Sequence, residues 1–327
     1  MPRDFYHRLD PVRETIVVGC GVSGLSCAIR LAEAGFKPRI VARERTPHTT
    51  SDIAAAVWYP FRCGTADRGL AWSRRTFRVL RDLSRDPEAG VTLVEGIDLL
   101  QDGDAETPWW KEAVERFRAA DRSELPDGYP AAWIFEAPVV AMPKYMKWLE
   151  AKASSLEITI QQRTVDNLDA LLEESSLIVH CTGLGARELT NDETLVPIRG
   201  QVVRVEPGHT RRFIQAGGGA DLAYVIPRRD CTVLGGTQDV GAWDTTVVPA
   251  TADAIRNRCI ALEPDLANAK VLSHAVGLRP GRPEPRLETE QRAGGTIVHN
   301  YGHGGGGVTL SGGCAEEVVR RVQAAVR

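Results

Sequence analysis

The hydrophobic positions of the chain change period several times, and each change predicts an element. Ile16, Val17 and Val18 form an unbroken β-branched run, as in a strand buried on both faces. Beyond Gly19, Gly21 and Gly24 the period becomes helical, with Leu25, Ala28, Ile29 and Ala32 at i, i+3, i+4 and i+7, and Gly35 supplies the stop. Residues 39–42 read as a second strand ending just before Glu44. Ala71, Phe77, Leu80 and Leu83 predict an amphipathic helix over about 65–84, and Pro108 marks the start of another at 107–112.

Further on, Tyr145, Trp148 and Leu149 share one face of a helix over 144–153, while 156–160 alternates as a strand does. A short helix near 167–173 leads to an apolar strand from Leu177 that runs into a second glycine-rich turn ending at Gly185. Alternation and turn residues at 201–205, 223–227 and 231–235 predict an antiparallel sheet, hence a second domain of different construction, crossed by a helix at 249–262. The first style then returns as a strand at 296–301, a run of glycines and a closing helix over about 309–325. Residues 1–13 read as a loosely docked arm.

A strand, a tight glycine turn and a helix in that order suit a dinucleotide. Gly19 permits the turn, Gly21 lets backbone approach a pyrophosphate, and Gly24 lets helix and strand close up. The helix N-terminus offers free amides and a positive dipole end to the phosphates. Glu44, 20 residues beyond Gly24, suits a carboxylate accepting both ribose hydroxyls and would repel a 2′-phosphate. The pattern does not choose between NAD and FAD. Thr49-Thr-Ser-Asp52 reads as a loop lying against the cofactor, or as a helix start capped by Ser51 or Asp52.

With 327 residues, 43% hydrophobic and 25% charged, the chain can fill two domains or one large α/β unit. A net charge of −3 with scattered Lys and Arg leaves no footprint for nucleic acid. No run approaches the ~20 apolar residues of a membrane span, and the charged start is unlike a signal peptide, so a cytoplasmic location is expected. Seven cysteines, at 20, 27, 63, 181, 231, 259 and 314, show no CxxC spacing; neither a metal site nor a disulfide framework is indicated.

Two late stretches narrow the chemistry. Val276-Gly-Leu-Arg-Pro-Gly-Arg-Pro283 sets Arg279 and Arg282 close together, and His299-Asn-Tyr-Gly-His-Gly-Gly-Gly-Gly-Val-Thr-Leu310 precedes a helix. Either arginine could clamp a carboxylate with its planar fork. These stretches join the opening turn, the Thr49–Asp52 loop, Cys181-Thr-Gly183, Arg199-Gly-Gln201 and Tyr224-x-Ile-Pro227. Together they resemble, over most of the chain, the D-amino-acid oxidase family of FAD enzymes, in its D-amino-acid rather than its D-aspartate branch. The resemblance implies an α/β fold with a Rossmann-like FAD-binding domain in three segments, 14–60, 140–200 and 271–327. A mostly antiparallel-sheet substrate-binding domain would be built from 61–139 and 201–270. The implied reaction is oxidative deamination of neutral D-amino acids to imino acids, then 2-oxo acids and ammonia, by hydride transfer from Cα to flavin N5, with O2 reduced to hydrogen peroxide. D-aspartate oxidase, or a glycine or sarcosine type of oxidase on the same fold, is the alternative.

The resemblance selects Arg279 over Arg282 for the substrate carboxylate and gives Tyr224 a second contact to it. On pattern alone Arg279 could serve a structural ion pair, and Tyr224 could pack on the core. Gly305 matches the glycine whose carbonyl accepts a substrate N–H. The implied cofactor set opens with Gly19, Gly21, Val22, Ser23 and Gly24. Glu44, Thr50 and Val165 would hold the adenosine half, and Arg43, Thr49, Ser51, Thr182 and Gly183 belong to the same set. Toward the flavin it includes Arg279 with Gly304, Gly305, Gly306, Gly307, Val308 and Thr309. There the glycines let backbone run close beneath the ring, the helix points its positive end at it, and Thr309 donates to it. No residue is expected as acid or base, and His303 is given a structural part.

Departures from the family pattern bear on the substrate. Ala220 and Gly306 stand where relatives carry tyrosine, which predicts an open site for large apolar D-side chains. Gln215 and Gln238 stand where the D-aspartate branch adds cations, so a second carboxylate would be left unpaired, although Arg211 and Arg212 lie nearby. The expected partners are such D-amino acids and O2, with no nucleic acid and no membrane, and a homodimer is the assembly allowed for.

Overall fold

The computed structural model describes residues 14–60, 66–103 and 106–327; the expected N-terminal arm and Cys63 lie outside the described residues. In chain order it runs through β1 (Glu14–Val18), α1 (Val22–Glu33), β2 (Lys37–Ala42), α2 (Thr50–Ile53) and α3 (Ala66–Leu83). Then come β3 (Val91–Leu100), β4 (Glu115–Ala119), β5 (Ala131–Val140), α4 (Met142–Ser155), β6 (Ile160–Gln162), α5 (Leu168–Leu172) and β7 (Leu177–His180). α6 (Ala186–Leu189) precedes β8 (Val196–Val205), β9 (Phe213–Ala216), β10 (Ala223–Pro227), β11 (Thr232–Gly235), β12 (Asp239–Val240) and α7 (Pro249–Leu262). β13 (Val271–Gly281), β14 (Arg286–Arg292), β15 (Gly295–Tyr301) and α8 (Gly307–Ala325) close the chain.

Two sheets divide these strands, giving the expected α/β class. The six-stranded sheet has the order β14-β15-β7-β1-β2-β6 and is parallel except where β14 meets β15. Val18, His180 and His299 fall in register across β1, β7 and β15. Three parallel strands therefore end together, each running into glycines, which is where open α/β sheets bind ligands. The nine-stranded sheet has the order β12-β8-β11-β10-β9-β3-β5-β4, with β13 paired to β8, and is antiparallel except between β3 and β9. β8 and β13 pair from Val196 to Val205, so both belong to this second sheet. Residues 196–200 and 271–281, expected in the cofactor segments, thus lie in the nine-stranded sheet, because the long β13 pairs with β8 before the chain returns to the first sheet.

α7 covers one face of the nine-stranded sheet, packing Ile255 and Cys259 on Ile97, Leu99, Val225 and Leu234. The opposite face shares a core with α1, α3, α4 and α8, built around Trp58, Phe135 and Phe213. α8 lies against α1 and α3. At Gly313 a Cβ would fall 2.3 Å from the Trp72 carbonyl oxygen, and the Gly313 N–H donates to Thr76 Oγ1 at 3.0 Å, so helix backbones meet directly.

Three expectations change. The helix expected at 107–112 shrinks to a 3-10 turn at Lys111–Ala113 because Trp110 is buried among the rings of Trp58, Tyr59, Phe117 and Phe135. The strand expected from 156 begins only at Ile160, since α4 runs to Ser155 and Glu157 takes a left-handed φ of 59°. β3 and β5, which pair over ten residues from Val91 to Leu100, were not foreseen. Among the described residues no helix is long and apolar enough to cross a membrane, and no cluster of His, Cys, Asp or Glu could hold a metal ion.

Candidate active site

The opening turn is built for close approach. Gly19 has φ +110°, and a Cβ on Gly24 would fall 1.9 Å from the Gly19 carbonyl oxygen, so α1 can meet β1 only if residue 24 is glycine. The Ser51 hydroxyl accepts from the Val22 N–H at 3.0 Å, which ties the 49–53 stretch to the start of α1. That stretch is a short helix whose N-cap is Thr49, with Asp52 at N3 completing a capping box, rather than one capped by Ser51 or Asp52. Asp52 is buried and accepts from the Thr46 and Thr49 hydroxyls, each at 2.6 Å.

Glu44 is exposed; Arg43 approaches it to 3.5 Å. Its carboxylate borders a cleft of about 640 Å3 lined by Glu44, Arg45, Thr49, Ile53 and Gln162. Arg45 grips Glu150 of α4 with two hydrogen bonds, of 3.0 and 2.6 Å, and so fixes the rim. Thr50 is exposed beside the cleft, and Val165, half-buried after β6, packs on the apolar layer of Ile16, Val18 and Val41.

Gly183, at φ +58°, and Gly304, at φ +55°, stand at the ends of neighbouring strands, and a Cβ on either would meet nothing within 4 Å. Left-handed glycines facing open space beside the Gly19 turn leave a cradle with room for a long dinucleotide. Thr182 is held by His180 Nε2 at 2.7 Å. Gly304–Gly306 form a 3-10 turn that continues into α8 at Gly307, Val308 and Thr309. The Thr309 hydroxyl donates to the Tyr59 carbonyl at 3.1 Å and accepts from the Tyr59 N–H at 3.2 Å. Both bonds seat the first turn of α8 against the segment at Tyr59.

Ser23 and His303 both meet Asn300. The Asn300 amide donates to Ser23 Oγ at 3.0 Å, and His303 Nε2 lies 2.9 Å from Asn300 Oδ1. Burial lowers the His303 pKa to about 4, so the ring is neutral and serves as scaffold.

The two candidate arginines separate cleanly. Arg282 is paired with Asp192 at 2.9 Å and donates to the Glu284 carbonyl. Burial raises the Asp192 pKa, but bonds from Thr194, Arg282 and Tyr301 win and hold it at about 2. Arg279 pairs with no carboxylate among the described residues; it donates to the Thr237 carbonyl at 3.1 Å. Its guanidinium crosses Gly200, where a Cβ would fall 2.2 Å from Nη1, and its Cδ would be 3.7 Å from a Cβ on Gly305. Tyr224 lies close by, over Gly235 and Gly236, whose Cβ atoms would fall 1.9 and 2.8 Å from its ring and hydroxyl. Burial raises the Tyr224 phenol above its ordinary pKa even though the Arg279 charge opposes it. Gly200 carried no assigned part, although a glycine inside a strand signals close approach.

Gln215 is half-buried on β9 opposite Tyr224. Gln238 is half-buried just before β12, Ala220 is exposed in the β9–β10 connection, and Arg211 is exposed. The charge of Arg212 helps hold the Glu124 carboxyl below its ordinary range.

The sequence profile described as FAD dependent oxidoreductase matches residues 14–321. The D-amino-acid oxidase of Rubrobacter xylanophilus is 50% identical over 317 residues, covering 96% of this chain and 97% of that protein. The D-amino-acid oxidase of Streptomyces coelicolor is 39% identical, covering 94% and 96%, and the human D-aspartate oxidase 35%, covering 95% and 94%. Among solved structures, glycine oxidase from Geobacillus kaustophilus has the same fold, with a TM-score of 0.78, 19% identity and 95% coverage of both chains.

Proposed function

The chain belongs to the FAD dependent oxidoreductase (DAO) family, and from that premise we propose that Arg279, Tyr224 and Gly305 hold a neutral D-amino acid for oxidation. The protein is an FAD-dependent enzyme of oxidative deamination acting on D-amino acids, in keeping with relatives named D-amino-acid oxidase at up to 50% identity. When bound, FAD supplies the two-electron acceptor that takes hydride from the substrate and is reoxidised by O2.

The observation that carries the site is the unpaired charge of Arg279 beside Tyr224. A planar guanidinium without a protein carboxylate suits a bidentate grip on the substrate carboxylate. Burial keeps the Tyr224 phenol protonated, so its hydroxyl can donate to the same group. The Gly305 carbonyl would accept a substrate N–H, fixing Cα between amine and carboxylate; alignment of this kind supplies much of the rate gain. His303, held neutral by burial, keeps a structural part on this reading.

Neutral, apolar D-amino acids are the preferred class on this reading. Ala220 and Gly306 leave room, and Gln215 and Gln238 bring no cation for a second carboxylate. The test is the visible spectrum of the purified holoenzyme without oxygen, followed on adding D-leucine and then L-leucine. Bleaching by the D-isomer alone is expected; bleaching by neither isomer overturns the reading. Turnover of D-alanine equal to that of D-leucine would reject the large-side-chain preference alone.

A further inference from the structure

β3 carries one carboxylate into an otherwise apolar region. Ile97 and Leu99 point into the core under α7, so Asp98 lies on the other face of the sheet. Asp98 is directly opposite Gln215 on β9, and Gln215 is directly opposite Tyr224 on β10. Cross-strand partners share a face, so Tyr224, Gln215 and Asp98 form one row, with Asp98 two strand spacings, about 10 Å, from Tyr224. The row starts at the carboxylate-binding end and finishes at a carboxylate.

Asp98 Oδ2 accepts from the Tyr59 hydroxyl at 2.7 Å. Among the described residues its other oxygen has no hydrogen-bond partner and no basic side chain pairs with it. Tyr59 comes from the segment whose backbone brackets Thr309 at the start of α8, and its ring lies 5.4 Å from Trp110 and 6.4 Å from Phe135. The far end of the row is therefore walled by rings and closed by a half-satisfied carboxylate. Burial lifts its pKa to about 6, against the smaller opposing effect of the Tyr59 hydrogen bond. A carboxylate left in this state is costly to the fold, and a ligand that donates to it recovers the cost.

We propose that Asp98, oriented by Tyr59, determines specificity at the side-chain end of the site: it accepts a hydrogen bond or positive charge from the tip of the D-amino-acid side chain and repels an acidic tip. The inference rests on Arg279 and Tyr224 holding the opposite end. It extends the substrate class beyond neutral, apolar side chains to those with an apolar stem for the rings and a donor at the tip, such as D-glutamine and D-lysine, and D-glutamate is turned away. Rejection of the wrong partner by an unmatched buried charge is a common source of specificity.

The experiment measures kcat/KM of the holoenzyme for D-leucine, D-lysine and the near-isosteric pair D-glutamine and D-glutamate. In the unsubstituted enzyme D-glutamine should exceed D-glutamate by at least about a hundredfold. Asp98→Asn, which can still accept from Tyr59, should shrink that ratio at least tenfold, mainly through KM, and lower the D-lysine to D-leucine ratio by a similar factor. Should Asp98→Asn not fold, Tyr59→Phe frees the carboxylate to rotate and should shift the same ratios in the same direction, less far. Equal turnover of D-glutamine and D-glutamate by the unsubstituted enzyme overturns the proposal, as does a variant that loses stability while keeping both ratios. No bleaching by D-leucine would instead sink the underlying reading of Arg279 and Tyr224.

Discussion

The guanidinium of Arg279 lies over Gly200, so close that a Cβ there would fall 2.2 Å from Nη1. Arg279 on β13 is opposite Ile198 on β8, and Gly200 is the diagonal neighbour toward which its side chain extends. Alanine in place of Gly200 would push aside the tip of a flexible side chain rather than the backbone. Gly200→Ala should therefore raise KM for D-amino acids roughly tenfold or more and leave the melting temperature within a few degrees. An unchanged KM would mean that the position of Arg279 over Gly200 does not matter.

The neighbouring arginines should fail in different ways. Arg279→Ala should raise KM by about a hundredfold or more while the protein stays yellow, because only the substrate loses its counter-charge. Arg282→Ala strips a partner from Asp192, whose side chain is 8% exposed, and should cost about 1–3 kcal/mol of stability. Steady-state kinetics beside chemical denaturation separates the two; a normal KM in Arg279→Ala would reject the clamp.

Gly24→Ala should be far more damaging than Gly200→Ala. Its Cβ would fall 1.9 Å from the Gly19 oxygen, a backbone atom that cannot swing away, so α1 must lift from β1. Flavin absorbance per milligram of soluble protein should fall to a small fraction of the starting value, and full retention of flavin would refute the account.

Asp98 gives stability a pH dependence of known sign. Burial raises its pKa from 3.8 to about 6 in the fold, against a smaller opposing effect of the Tyr59 hydrogen bond. The folded state thus holds the proton more tightly than the unfolded chain. Below about pH 4 both states are protonated and the carboxyl costs nothing; the cost grows as pH rises and is complete above about pH 6, reaching about 3 kcal/mol. Asp98→Asn removes this titration, so its melting temperature relative to the unsubstituted protein should climb between pH 4 and pH 7. A difference that stays flat across that range would contradict the raised pKa.

What the sequence made legible was whatever a short window contains. The Gly19–Gly24 turn, the apolar face of α3 and the proline-led start of α7 are local, and their elements form where the pattern puts them. The 107–112 stretch carried helix-start signals, but burial of Trp110 in an aromatic cluster outweighed them. Gly200 and Arg279 are 79 residues apart and meet only because β8 pairs with β13. Asp98 and Tyr59 meet only because β3 lies beside β5 and the segment at Val57 bridges to Val139. Pairing of distant strands places the substrate wall, and no single-window pattern encodes that pairing.

The position of β1 fixes when the pocket comes into being. β1 lies inside the six-stranded sheet, flanked by β2 and β7, and β15 and α8 are added from the last stretch of the chain. A nascent chain emerging as far as β13 has already made the glycine turn at Gly19 and the arginine at 279, yet it lacks the strand and helix that seat them. Unlike a chain whose leading domain matures while the rest is still being translated, this one leaves the α8 side of α1 uncovered until the residues from Gly307 onward have been made. A premature stop anywhere before Gly307 would leave a polypeptide with most of its chemistry written and nowhere to perform it.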